Sequence, residues 1–146
     1  MNSLNDYLYL WFSKLTSFAV EETLNNAIFS TITDNLNHQY LIKLNKELIR
    51  SSYQSIPRIK LLQNNLEIQT AAYSSKNETI FISEDWLKQA EKNNVLEVLT
   101  EELGHHIDYK VNSKDTPGDE GYLFAAKLFE KDINTEAESL KLASFE

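Results

Sequence analysis

Residues 95–108 read Val-Leu-Glu-Val-Leu-Thr-Glu-Glu-Leu-Gly-His-His-Ile-Asp and hold two of the chain's three histidines beside two adjacent glutamates. Leu96, Leu99, Leu103 and Ile107 recur at three- and four-residue spacing, so the stretch predicts an amphipathic helix with those side chains inward. Asn94 followed by Glu97 resembles a capping box, which starts the helix near Asn94 and carries it to about Tyr109. On this helix Glu101, His105 and Asp108 share one flank, and Glu102 lies between that flank and the apolar arc. Side chains four apart can meet one metal ion, and the residue next to the first can reach an ion-bound water. His106 falls in the apolar arc and is expected to be a structural side chain hydrogen-bonded to backbone. Asp108 reads either as a carboxylate orienting His105 or as an exposed acid at the helix end.

Upstream of the helix, character changes at Pro57. From Ile56 to Gln63, from Leu66 to Tyr73 and over Thr79-Ile80-Phe81-Ile82, short runs carry near-alternate apolar or β-branched residues, which predicts three strands. Ser74 to Asn77 is turn chemistry, so a small antiparallel sheet is expected, with an edge strand near Thr79 to Ile82. Ser83 is placed to cap a short helix through Leu87. The first third, Leu4 to Tyr53, has helical periodicity in Leu8, Trp11, Phe12, Leu15 and Phe18, then Leu24, Ile28 and Ile32, then Leu41, Leu44 and Leu48. Two or three amphipathic helices are expected there. Downstream, Thr116, Pro117 and Asp119 signal another helix start, running from Pro117 to about Phe129. The fold class predicted is α+β, a single domain over residues 1–131: a helical part (1–53), a motif-bearing core (56–131), and then a polar tail (132–146).

Glu101-Glu102-Leu103-Gly104-His105 differs from the zincin pattern His-Glu-x-x-His only at its first ligand position. Together with the edge-strand pattern of residues 73–83 and with Gly118-Asp119-Glu120-Gly121, it resembles a zincin-like domain of the glutamate-third-ligand kind. More closely, it is similar to the short Glu-Glu-x-Gly-His-x-x-Asp…Gly-Asp-Glu-Gly domain of cyanobacterial proteins, often found ahead of calcium-binding repeats. The resemblance covers about Ile56 to Phe129. It implies Glu101, His105 and Glu120 as metal ligands, Glu102 as general base, and peptide hydrolysis as the activity. Asp119 is the alternative third ligand or a supporting carboxylate beside it. Tyr73, Thr79 and Tyr122 would line the substrate cleft, although aromatic side chains at such positions also serve as core. For Glu101 and Glu102 the plain alternative is a solvated helix face; for Asp119 and Glu120 it is favourable charge at a helix N-terminus.

The altered first ligand has a chemical consequence. Two carboxylates and one imidazole neutralise a divalent cation, so a bound water is acidified less than in a three-histidine site. Oxygen-rich ligation also moves preference from zinc, the first expectation, toward manganese, iron(II) or calcium. The hydrolase is therefore expected to be weak or unusually metallated. The alternative is a non-catalytic zincin-fold module that binds metal or a protein partner.

The 146 residues include 14 Lys+Arg against 22 Asp+Glu, a formal net charge of −8, with 42% hydrophobic residues and no cysteine. That length and apolar content suit one compact soluble domain. An acidic surface that no Lys/Arg cluster interrupts argues against nucleic acid and anionic lipid as partners and leaves peptides, proteins or cations. Without cysteine, disulfides and thiolate chemistry are excluded. The apolar run Tyr7 to Phe12 is too short for a secretory signal or membrane span, and Asp6 stands where such a signal carries positive charge. A soluble protein is expected, cytoplasmic or exported by a non-classical route. A di-iron site would need a second Glu-x-x-His, and the Asn112–Asp119 loop lacks EF-hand spacing.

Overall fold

The structure is a computed structural model that describes residues 3–33, 39–63, 67–112 and 120–129. Its chain order is α1 (Leu4–Val20), α2 (Thr23–Thr31), α3 (Gln39–Ile49), β1 (Arg58–Leu62), β2 (Ala71–Ser74), β3 (Thr79–Ser83), α4 (Glu84–Gln89), α5 (Lys92–Asn112) and α6 (Glu120–Leu128). The α+β class expected from the sequence is the class observed.

Each early helix forms where local chemistry starts it and an apolar stripe buries it. Ser3 and Asp6 close a capping box on α1: the Asp6 N–H donates to Ser3 Oγ and the Ser3 N–H to Asp6 Oδ2. Tyr7, Trp11, Leu15 and Phe18 then form the buried face of α1, and Leu41, Leu44 and Leu48 that of α3. Trp11 is fully buried, and its Nε1 donates to Thr100 Oγ1 at 2.9 Å, pinning α1 to the middle of α5. Thr100 Oγ1 in turn donates to the Leu96 carbonyl at 2.7 Å, so both polar groups are satisfied inside the core. Buried side chains from Tyr7 in α1 to Leu128 in α6 belong to one hydrophobic cluster.

The sheet corrects two expectations. Its strand order is β1-β3-β2, with β1 and β3 parallel and β2 and β3 antiparallel, so it is mixed and not antiparallel throughout. Thr79–Ser83 is the central strand, not the edge, and β2 is the edge strand that packs on α5. The reason lies in β3 itself. Ile80 and Ile82 are fully buried, Thr79 and Ser83 nearly so, and Phe81 partly, and a strand with so little exposure belongs between two neighbours. Of the expected strand over 66–73, only its end enters a ladder, and Leu66 lies outside the described residues.

Helix boundaries follow the sequence signals with small shifts. Ser83 Oγ accepts from the Trp86 N–H and caps α4. The long helix starts at Lys92, two residues before Asn94, and runs to Asn112, three beyond Tyr109. In the expected Pro117 helix, Glu120 to Leu128 are helical, whereas Thr116, Pro117 and Asp119 lie outside the described residues, as does the tail 132–146. Helix α6 packs against α5 and α2, which carries Glu120 to the helix that bears Glu101, Glu102 and His105.

Candidate functional site

The site is built where α5 crosses α6, and glycines set how closely they approach. A Cβ on Gly104 would lie 3.0 Å from the Gly121 Cα and 3.0 Å from Phe124 Cδ2. A Cβ on Gly121 would lie 2.6 Å from the Glu101 carbonyl oxygen and 2.9 Å from His105 Nε2. The two backbones therefore touch without side chains between them. The His105 imidazole rests on the first turn of α6, one residue from Glu120. The Glu101–His105 turn of α5 thus lies against the Glu120–Gly121 turn of α6.

Glu120 Oε1 is buried and has no hydrogen-bond partner among the described residues. A buried carboxylate oxygen without a donor is costly, and a bound cation would relieve it. Two carboxylates and one imidazole are donors that suit a divalent ion of intermediate to hard character. Among the described residues, however, no three His, Asp or Glu side chains form a ready-made metal cluster. Glu101, Glu102, His105 and Tyr122 are partly buried, and each is engaged in interactions of its own. Asp119 lies outside the described residues.

Three other candidates sit in places that redefine their roles. Asp108 is buried, not an exposed helix-end acid, and its Oδ1 accepts from Asn112 Nδ2 at 2.6 Å. Thr79 lies in the central strand, paired with Arg58 on one side and Ser74 on the other, and its hydroxyl donates to the Asn77 carbonyl. Its backbone is thus paired on both sides within the sheet. Tyr73 is on the true edge strand β2, but its hydroxyl is hydrogen-bonded to His106 Nδ1 at 2.7 Å.

His106 is buried, as the apolar arc predicts, and ties α5 to the sheet. Burial pushes its pKa down to about 4; Lys110 acts the same way, while Glu78 and a hydrogen bond to the Ser55 backbone oppose the shift. The imidazole is therefore neutral at pH 7. Tyr40 of α3 meets its ring edge-on at 6.1 Å, and the Tyr40 hydroxyl is buried without a hydrogen-bond partner among the described residues. Burial, reinforced by Tyr73, raises the Tyr40 pKa well above its usual value. Helical spacing alone gave no reason to place Tyr40 beside this histidine.

Compared with known protein families, with curated proteins and with solved structures, the chain matches none.

Proposed function

We propose that this protein is a zincin-like, metal-dependent peptide hydrolase with an altered first ligand. The observation that carries the reading is the glycine crossing of α5 and α6, which brings His105 against the turn that bears Glu120, whose Oε1 is buried without a hydrogen-bond partner among the described residues. Glu101, His105 and Glu120 would hold the ion. A divalent cation bound there supplies Lewis acidity toward a peptide carbonyl, weakened because two carboxylates offset its charge. Glu102, beside Glu101, would serve as the general base toward a water held at such an ion. The outer strand β2, next to α5, is where the backbone of an extended substrate would pair.

Two variants test this reading. Glu102→Gln is expected to abolish cleavage of a denatured protein substrate while metal content by elemental analysis stays at the parent level. Glu120→Gln is expected to lose bound metal by elemental analysis while the circular dichroism spectrum stays that of the parent. If Glu120 only complements the α6 dipole, Glu120→Gln instead destabilises the metal-free chain by about 0.3–1 kcal/mol. Cleavage by Glu102→Gln at the parent rate would overturn the mechanism.

A second reading, a non-catalytic module of the same shape, is favoured by one observation. The described side chains do not form a three-donor cluster. It predicts that no added ion, whether zinc, manganese, iron(II) or calcium, produces cleavage, even where one raises thermal stability.

A further inference from the structure

Among the described residues β1 is the sheet's other outer strand, on the side away from β2, and it carries a local concentration of positive charge. Between Lys43 and Lys60 the chain carries Lys43, Lys46, Arg50, Arg58 and Lys60 against Glu47 alone, in a protein whose net charge is −8. This local basic run departs from the uniformly acidic surface expected from composition. Arg58 and Lys60 are both exposed, and they line a pocket of about 520 Å³ with Asn77, Glu78, Thr79 and Phe81.

Strand geometry organises these groups. In β1, Arg58 and Lys60 are two residues apart and so project from one face, while Ile59 and Leu61 between and beyond them project from the other and pack against the core. In register, Arg58 lies opposite Thr79 and Lys60 opposite Phe81. Phe81 thus gives the pocket an apolar floor beside two cations. The pocket's one acid, Glu78, is already paired, its Oε1 lying 2.9 Å from Lys110 Nζ. Among the described residues, neither Arg58 nor Lys60 is in an ion pair.

We infer that the β1 edge and the Arg58–Lys60–Phe81 pocket form a docking site for an extended acidic segment of a partner protein, one with Asp or Glu at alternate positions. A strand added to β1 places its side chains opposite Arg58 and Lys60 on the same face, so carboxylates two residues apart in the partner meet cations two residues apart here. Main-chain pairing supplies adhesion, and the two charge pairs fix register and strand direction. The site is at the opposite edge from β2 and needs no metal, so it stands or falls independently of the hydrolase reading.

The test is fluorescence anisotropy of the whole chain with a labelled peptide Thr-Glu-Thr-Glu-Thr-Phe, beside the same peptide with lysine for glutamate. The glutamate peptide is expected to saturate the protein and to weaken as salt is raised; the lysine peptide is expected not to bind. Arg58→Gln with Lys60→Gln is expected to weaken binding at least about tenfold with an unchanged circular dichroism spectrum. Each single substitution is expected to give an intermediate loss. Methylating the peptide's alternate backbone nitrogens, on either face in turn, is expected to abolish binding for one face only. Equal binding of both peptides, binding unchanged in the double variant, or displacement of the peptide by inorganic phosphate at matching concentration would overturn the inference.

Discussion

His106 shows how much one buried side chain can govern. Its imidazole is hydrogen-bonded to the Tyr73 hydroxyl, and burial lowers its pKa to about 4 in the folded chain, against 6.5 for an unburied histidine. As pH falls through 6.5 the unfolded chain takes up a proton that the folded chain refuses, so stability is fully present above 6.5 and drains away toward 4. Between pH 7.5 and 5 this one group should remove about 2 kcal/mol, with carboxylate effects added only further into acid. Urea midpoints of the parent and His106→Gln, measured across that range, check it: the parent's loss should exceed the variant's by roughly that amount, and equal slopes would mean His106 is not buried neutral. The same residue marks what the sequence could reveal about the site. The helical wheel put His106 inward and Glu101 and His105 on a shared flank because those facts follow from 100° per residue alone. Tyr73, Thr79 and Tyr40 depend on which strand and which helix lie opposite. No spacing within one segment carries that information.

Elements were legible wherever a local pattern decided them. The three N-terminal helices, the Ser83 cap and the long α5 follow from apolar spacing and capping residues, and the Ser75–Glu78 turn follows from its composition. Strand order was not, because hairpin reasoning pairs neighbours in sequence, whereas β3 inserts between β1 and β2. The run Thr79-Ile80-Phe81-Ile82 did hold the clue, being more continuously apolar than a one-sided edge strand needs. The α5–α6 crossing is another property of paired elements, and it yields a graded prediction. Gly121→Ala forces a methyl group against a backbone carbonyl at 2.6 Å, which no rotamer change can relieve. It should cost about 2–3 kcal/mol by overpacking. Gly104→Ala meets its neighbours at 3.0 Å, one of them the movable Phe124 ring, and gains up to about 1 kcal/mol of helix propensity in mid-helix. Its net cost should therefore be clearly smaller. Urea unfolding of both variants checks the order, and a larger loss at Gly104 would mean that the helices do not cross as described.

At the scale of the whole molecule, the decisive property is that α5 and α6 are not a peripheral pair. Trp11 is hydrogen-bonded to Thr100 of α5, and buried residues of α1, α2, α3, the sheet, α5 and α6 form a single cluster. An ion held between Glu101, His105 and Glu120 would bind only where that cluster is assembled, so its binding energy would be shared by the entire fold. At a free metal concentration about a hundred times the dissociation constant, stability should rise by about 2.7 kcal/mol. For a chain of this size that is roughly 5–10 °C in melting temperature. Because the core is shared, tryptophan fluorescence, which follows Trp11 and Trp86, and circular dichroism at 222 nm should move together by the same increment. His105→Ala and Glu120→Gln should melt at the same temperature with and without the ion. An ion attracted only to the acidic surface would act differently: its effect would fade with added salt and survive both substitutions, since screening removes diffuse attraction but not coordination. A shift seen by one probe alone would place the ion outside the α5–α6 crossing, because a ligand gripped by the two helices cannot stabilise one part of a single cooperative core and leave the rest unchanged.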